Sequence, residues 1–176
     1  LAIPGETPRF AEGWLSRMDN GGWLLEAHPV DEFPTPDPAQ ALPNALGAAL
    51  ALEFTILTAA RTGETIGAKR GEVDIDRAIW TIPAARMKAG REHRVPLSTR
   101  AVEILRTLET VEGDFLFPGE RKGGLSNMAM SMLLKRMNRG VTVHGFRSAF
   151  RDWASECTGY PHEVCEMALA HTISNK

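Results

Sequence analysis

The rhythm of hydrophobic and polar positions changes three times along this 176-residue chain. Up to residue 43 neither a helical nor a strand period persists, and Pro29, Pro34, Pro36, Pro38 and Pro43 crowd the end of that stretch. Proline at such density blocks helix and central strand alike, so residues 28–43 read as an extended linker closing a leader that covers 1–43. Trp14 and Trp23 are its candidate anchors. From Asn44, a candidate N-cap, residues 45–60 are rich in Ala and Leu and apolar nearly all round. That pattern predicts a buried helix, broken at Gly63 and followed by a short helical segment to about Lys69.

The period then drops to two. Val73, Ile75, Ile79, Trp80, Ile82, Val95 and Leu97 predict a small antiparallel meander, turning at Asp76-Arg77 and around Ala89-Gly90. Beyond Ser98 helical spacing returns. Val102, Leu105 and Leu108 mark a helix over 99–108, Phe115 to Gly119 a short buried segment, and Ser126 caps a helix over 127–138 that stops at Gly140. Two more helices are predicted over 144–157 and 161–170, the second with Pro161 at its first position. The expected fold class is mostly α with one small antiparallel sheet (α+β), in a single domain over 44–176.

Composition adds bounds. Hydrophobic residues at 43% and charged residues at 24% suit a globular protein, and no apolar run reaches the roughly 18 residues a membrane helix needs. The opening Leu1-Ala2-Ile3-Pro4-Gly5 lacks the basic start and apolar core of a signal peptide, and a start without methionine reads as a fragment. These features predict a cytoplasmic protein. Cys157 and Cys165 fit neither a zinc knuckle nor a redox pair, so both are expected as reduced, largely buried thiols. The net charge of −2 is unevenly spread: residues 1–60 hold eight acids against two bases, while 61–176 hold 18 bases against 14 acids. A chain polarised in this way permits a basic face for a phosphate backbone.

Four short islands hold candidate chemistry. Arg61 and Glu64 flank a glycine turn where the apolar helix ends; the arginine there needs either a carboxylate partner or an anion. The turn from Arg86 to Arg94 carries Arg86, Lys88, Arg91, His93 and Arg94, which read as a solvated loop or as a lysine able to reach a phosphodiester. His144 and Arg147 stand three apart, on one face of a helix opening near Gly145, a spacing suited to gripping one phosphate. His171 follows an apolar stripe, either as a helix-end packing residue or as a ligand-facing one.

Taken in order, arginine at a helix end, lysine on a hairpin, H-x-x-R opening a helix and then Leu169-Ala170-His171 resemble the active site of tyrosine recombinases, the phage integrases. The stretch Val141-Thr142-Val143-His144-Gly145-Phe146-Arg147 through Trp153-Ala154 is similar to integrases of prophages and genomic islands. So are Glu163 through His171, and the hairpin from Trp80-Thr81-Ile82-Pro83 to Val95-Pro96-Leu97-Ser98. The resemblance runs from about Leu50 to Lys176. It implies the recombinase catalytic-domain fold and a reaction in which a tyrosine attacks a DNA phosphodiester, with no cofactor, ATP or metal. It implies that Arg61 and Arg147 stabilise the phosphate, that Lys88 protonates the leaving 5′-oxygen, that His144 assists proton transfer, that His171 hydrogen-bonds the phosphate and that Glu64 supports the arginine. The implied partner is double-stranded attachment-site DNA, on which the full-length protein forms a homotetramer, with a monomer for the fragment. Candidate backbone contacts are Arg86, Arg91, Lys135, Arg136, Arg139 and Arg151.

The nucleophile is expected beyond His171. Tyr160, the only tyrosine, precedes it in a Gly-Tyr-Pro turn and takes no such role, so the fragment is expected to be inactive. Arg70 replaces an aromatic residue of the subgroup, which implies looser packing or an added phosphate contact. The competing readings are an inactive DNA-binding relative, a metal-dependent hydrolase drawing on His144, His162, Glu163, Glu166 and His171, and a helical interaction domain.

Overall fold

A computed structural model describes residues 13–17, 23–27, 43–119 and 123–171. The chain divides into two units, Leu1–Ala41 and Leu42–Lys176. In the first, β1 (Gly13–Arg17) and β2 (Trp23–Ala27) form an antiparallel ladder with Gly13 opposite Ala27 and Arg17 opposite Trp23. Irregular composition had masked this hairpin in the sequence. The linker expected over 28–43 falls almost wholly outside the described residues, as do the side chains of Trp14 and Trp23.

The second unit is built around α1 (Pro43–Thr58), against which α2 (Thr62–Ile66), α3 (Thr99–Thr107), α4 (Ala129–Arg136) and α5 (Val143–Cys157) all pack. Helix α1 buries Ala48, Ala51, Leu52 and Phe54, as its apolar surface demands. It ends earlier than Gly63, at Ala59, whose φ of 48° is left-handed and turns the chain out of the helix. Thr55 Oγ1, bonded to the Ala51 carbonyl, also meets Thr65 Oγ1 at 2.9 Å and so fixes α2 against α1. That contact sets the position of the intervening turn, which carries Arg61.

The three-stranded antiparallel sheet has the order β3 (Val73–Asp74), β4 (Ile79–Ile82), β5 (His93–Pro96). Trp80 faces both Val73 and Val95, and Ile82 pairs with His93. Trp80 is fully buried, its ring 5.3 Å from Phe54, which lies 5.4 Å from Phe117. This aromatic row bolts sheet, α1 and the Phe115–Pro118 segment into one core. Beyond β4 a single 3-10 turn, Ala84–Arg86, precedes the tip, where Gly90 has φ 63°.

Helix α3 is capped by Ser98, whose Oγ accepts the Ala101 N–H. Helix α4 is shorter than predicted: the Ser126 carbonyl rather than its hydroxyl receives Ala129 N–H, and Asn138 (φ 52°) ends the helical turn before Gly140. Helix α5 begins behind Thr142, whose hydroxyl accepts Gly145 N–H at 3.0 Å. The last helix, α6 (His162–Ala168), packs on α5 and has Pro161 as its N-cap. Among the described residues no helix is long and apolar enough to cross a membrane. Cys165 is buried, but Cys157 is exposed at the end of α5, contrary to the expectation of two buried thiols.

Candidate active site

Arg61 is the residue that enters α2, with φ −80° and ψ 150°. Glu64, three residues on, accepts the Arg61 backbone N–H on Oε2 at 2.8 Å and its Nη1 on Oε1 at 2.6 Å. The carboxylate is buried while the guanidinium side chain keeps 27% of its exposure. Arg61 thus has the carboxylate partner that one reading of the sequence expected, and its side chain stays partly exposed. Pairing at one nitrogen orients the plane without exhausting its donors.

Arg147, one turn into α5, is 6% exposed. Its Nη1 donates to the Ala59 carbonyl and its Nη2 to the Leu169 carbonyl. These acceptors lie where α1 and α6 end. Each ending uses a left-handed alanine, Ala59 in one case and Ala170 (φ 48°) in the other, to turn away and leave a carbonyl without a helical partner. A guanidinium suits that position, since it satisfies the carbonyls and neutralises the negative ends of two helices. Burial pulls the Arg147 pKa down to about 10, and the charge of Arg61 nearby pushes the same way against Glu64 and Glu166. Arg147 thus sits against the turn that carries Arg61, bonded to the Ala59 carbonyl two residues ahead of it, while Glu64 pairs with Arg61.

His93, at the start of β5, reaches the same place from the sheet. Burial holds its imidazole below the usual range, opposed by Glu64 and by a hydrogen bond to the Ala168 carbonyl, and reinforced by Arg147 and Arg61. Sequence reading had grouped His93 with the hairpin and gave it no role; its pairing with Ile82 fixes which way it faces, and only a known strand register reveals that. His171 follows α6, its Nδ1 2.6 Å from Glu166 Oε2, while Glu166 Oε1 accepts Arg151 Nε at 2.7 Å.

The other candidates lie further out. His144 is exposed on the first turn of α5, three residues ahead of buried Arg147. Lys88 is exposed beside the buried Met87, and Arg91, Lys135, Arg136 and Arg139 are exposed as well. Arg86 departs from the sequence expectation of a phosphate contact. Its guanidinium turns inward, donating Nη1 to both oxygens of Glu72 and Nη2 to the Glu64 carbonyl, and its side chain is 20% exposed. Glu72 is pinned in turn by Trp80 Nε1 at 3.1 Å. Arg86 thus supports the turn that carries Arg61. Arg70 also turns to the protein, donating to the carbonyls of Leu108, Val111 and Gly113, so it ties down a chain reversal instead of loosening it. Tyr160 is 68% exposed in the α5–α6 turn. No three His, Cys, Asp or Glu side chains among the described residues converge as metal ligands, which leaves the hydrolase reading without a site.

Known proteins share sequence and fold with this chain. Residues 36–175 match the sequence profile of the phage integrase family. Prophage integrase IntA of Escherichia coli (strain K12) is 37% identical over 129 residues, covering 70% of this chain and 31% of that protein. Prophage integrase IntZ of the same strain is 33% identical over 160 residues, covering 88% and 39%. The integrase of Enterobacteria phage P4 is 31% identical over 146 residues, covering 72% and 33%. The chain therefore spans between 31% and 39% of the length of these relatives. In three dimensions it resembles XerA recombinase, with TM-score 0.58 and 19% identity over 74% of this chain and 53% of that one. It also resembles a lambda integrase tetramer bound to a Holliday junction, with TM-score 0.53 and 17% identity over 77% and 46%. At those identities the likeness concerns the fold.

Proposed function

This chain belongs to the phage integrase family and has the tyrosine recombinase catalytic-domain fold, and we propose that it supplies the phosphate-activating half of a site-specific DNA recombination reaction. The observation that carries this reading is the junction where Arg147 Nη1 holds the Ala59 carbonyl, two residues before Arg61, whose own guanidinium is paired to buried Glu64, so that the two like charges oppose each other. An anion seated between them relieves that repulsion, and a pentacoordinate phosphorus, with more charge on its oxygens than the ground state, relieves it further.

In this scheme a tyrosine oxygen, supplied from beyond His171, forms the bond to phosphorus as the bond to the 5′-oxygen breaks. The phosphotyrosyl link conserves the phosphodiester's energy, so no nucleotide is consumed. Arg61 and Arg147 hold the non-bridging oxygens, and His171 adds a hydrogen bond. Lys88 gives its proton to the departing 5′-oxygen, and His144 assists removal of the tyrosine proton. Glu64 orients Arg61. Exposed Arg91, Lys135, Arg136 and Arg139 contact the DNA backbone and set affinity, not sequence. The substrate is double-stranded attachment-site DNA of a prophage or genomic island, and the assembly is a homotetramer on that DNA, in the cytoplasm beside the chromosome.

The test is covalent trapping on a nicked attachment-site duplex by the complete protein. The expected result is a protein–DNA adduct that Arg61→Ala or Arg147→Lys reduces by roughly a hundred-fold or more, the scale of losing one transition-state donor. Adduct formation at unchanged rate in either variant contradicts the assignment. Specific binding with no adduct identifies an inactive relative.

A further inference from the structure

The His171 ring is held from two sides. Ala170, in its left-handed conformation, reverses the chain after α6 and lets His171 N–H donate to the Glu166 carbonyl at 2.9 Å. The same glutamate meets the ring, with Oε2 2.6 Å from Nδ1, and anchors its other oxygen on Arg151 at 2.7 Å. The Glu166 side chain keeps only 14% of its exposure, against 46% for Arg151. Arg151 first and His171 second hold the Glu166 carboxyl below its usual range, so it is ionised at neutral pH. An ionised carboxylate has no proton to give, so the Nδ1 it faces must carry one.

We infer that Glu166 is a positioning residue for the phosphate site, fixing His171 with its proton on Nδ1 and leaving Nε2 as the ring nitrogen that meets DNA. This rests on the proposed reaction only for its consequence in cleavage; the tautomer itself is a property of the chain alone. The arrangement follows a general pattern in which a carboxylate behind an imidazole chooses the tautomer and the ring plane. It also gives Arg151 a role distinct from the backbone contact expected from sequence. With its Nε on Glu166, Arg151 braces the carboxylate that braces the histidine. Nothing in the sequence alone links these three residues, because the contact between positions 166 and 171 needs the left-handed turn at Ala170.

The experiment is nitrogen-15 NMR of the histidine rings in the 176-residue chain at a pH where they are neutral, with His171→Gln assigning the signal. The expected result is Nδ1 protonated and Nε2 bare for His171. In Glu166→Ala the proton moves to Nε2, whereas Glu166→Gln, which can still accept from Nδ1, keeps a substantial Nδ1–H fraction. In the complete protein, Glu166→Ala then slows cleavage by roughly ten-fold to a hundred-fold at unchanged DNA affinity, with partial recovery in Glu166→Gln. A native chain whose His171 carries its proton on Nε2 overturns the inference, whatever the cleavage result. Nδ1–H in a complete protein that never cleaves leaves the positioning intact and overturns the proposed reaction instead.

Discussion

The cradle around Arg147 and the hairpin tip around Lys88 place cations in opposite ways. In the cradle each guanidinium is oriented by protein partners: Arg147 by two helix ends, Arg61 through one nitrogen by Glu64, Arg86 by Glu72 and the Glu64 carbonyl. At the tip Lys88 and Arg91 are exposed, and the nearby Arg94 pairs with exposed Glu92 at 3.0 Å. Surface pairs of that kind contribute little. The difference teaches how one reaction divides its requirements. Charge that must be oriented before substrate arrives is built into the core, because reorganising it during the reaction would cost rate. Under the proposed reaction, Lys88 as proton donor to the leaving group would wait on the exposed hairpin until DNA is present.

Replacing each region's central cation should separate these roles most sharply. Arg147→Ala removes donors from the Ala59 and Leu169 carbonyls, so in addition to losing cleavage the domain is expected to lose about 3 kcal/mol in urea unfolding. Burial at a junction of two helix ends is why this substitution does not spare the fold. Lys88→Ala should also abolish cleavage, yet shift stability by less than about 0.5 kcal/mol, as exposed positions do. Equal destabilisation by both would erase the distinction.

Arg86 and Arg91, close in sequence, allow a second contrast. Arg86→Ala leaves Glu72 and the Glu64 carbonyl short of a donor and should cost about 2 kcal/mol, while weakening DNA binding only through the displaced turn. Arg91→Ala should leave unfolding unchanged and lower the salt dependence of DNA binding by about one phosphate contact. Unfolding midpoints and salt-titrated affinities of the two variants decide between them.

A smaller effect comes from His93, the sheet's contribution to the cradle. Its folded-state pKa lies below 6.5, chiefly through burial, so as pH falls below 6.5 the unfolded chain takes the proton first. Stability should therefore decline from 6.5 downward until the folded ring also titrates, and be flat with respect to this group above that range. In His93→Gln this part of the slope disappears, which urea midpoints at neutral and at mildly acidic pH measure. A slope unchanged by the substitution removes His93 from the cradle. Smallest of all, Ala170→Gly should add about 1 kcal/mol by removing the left-handed penalty at φ 48°. The partly buried methyl also packs on the core, so a loss of stability there would mean that this packing outweighs the relieved strain.

Much of this was legible in the sequence because period and capping are local. Helix α1, the meander and α5 follow from spacing, and the four islands were visible as ordered polar residues. What stayed hidden depends on contacts across the chain. Arg86 and Arg91 look alike in sequence, and only the approach of Glu72 to the hairpin base separates an inward arginine from an outward one. Helix α1 keeps its expected length but starts and ends two residues early, and α4 is shorter than expected, because Ala59 and Asn138 adopt left-handed backbone, which neither residue type announces. His93 went unassigned, and Glu166 entered only as a metal-ligand candidate, because a strand register and a helix-ending turn set their surroundings.

The central claim is that Arg61 and Arg147 share one anion, and guanidinium NMR of this chain during titration with inorganic phosphate reads it directly. The account predicts that the Nε–H signals of both arginines move together along one binding curve, and that Arg61→Ala abolishes the response at Arg147. Signals that move independently, or an Arg147 that responds unchanged without Arg61, would contradict it.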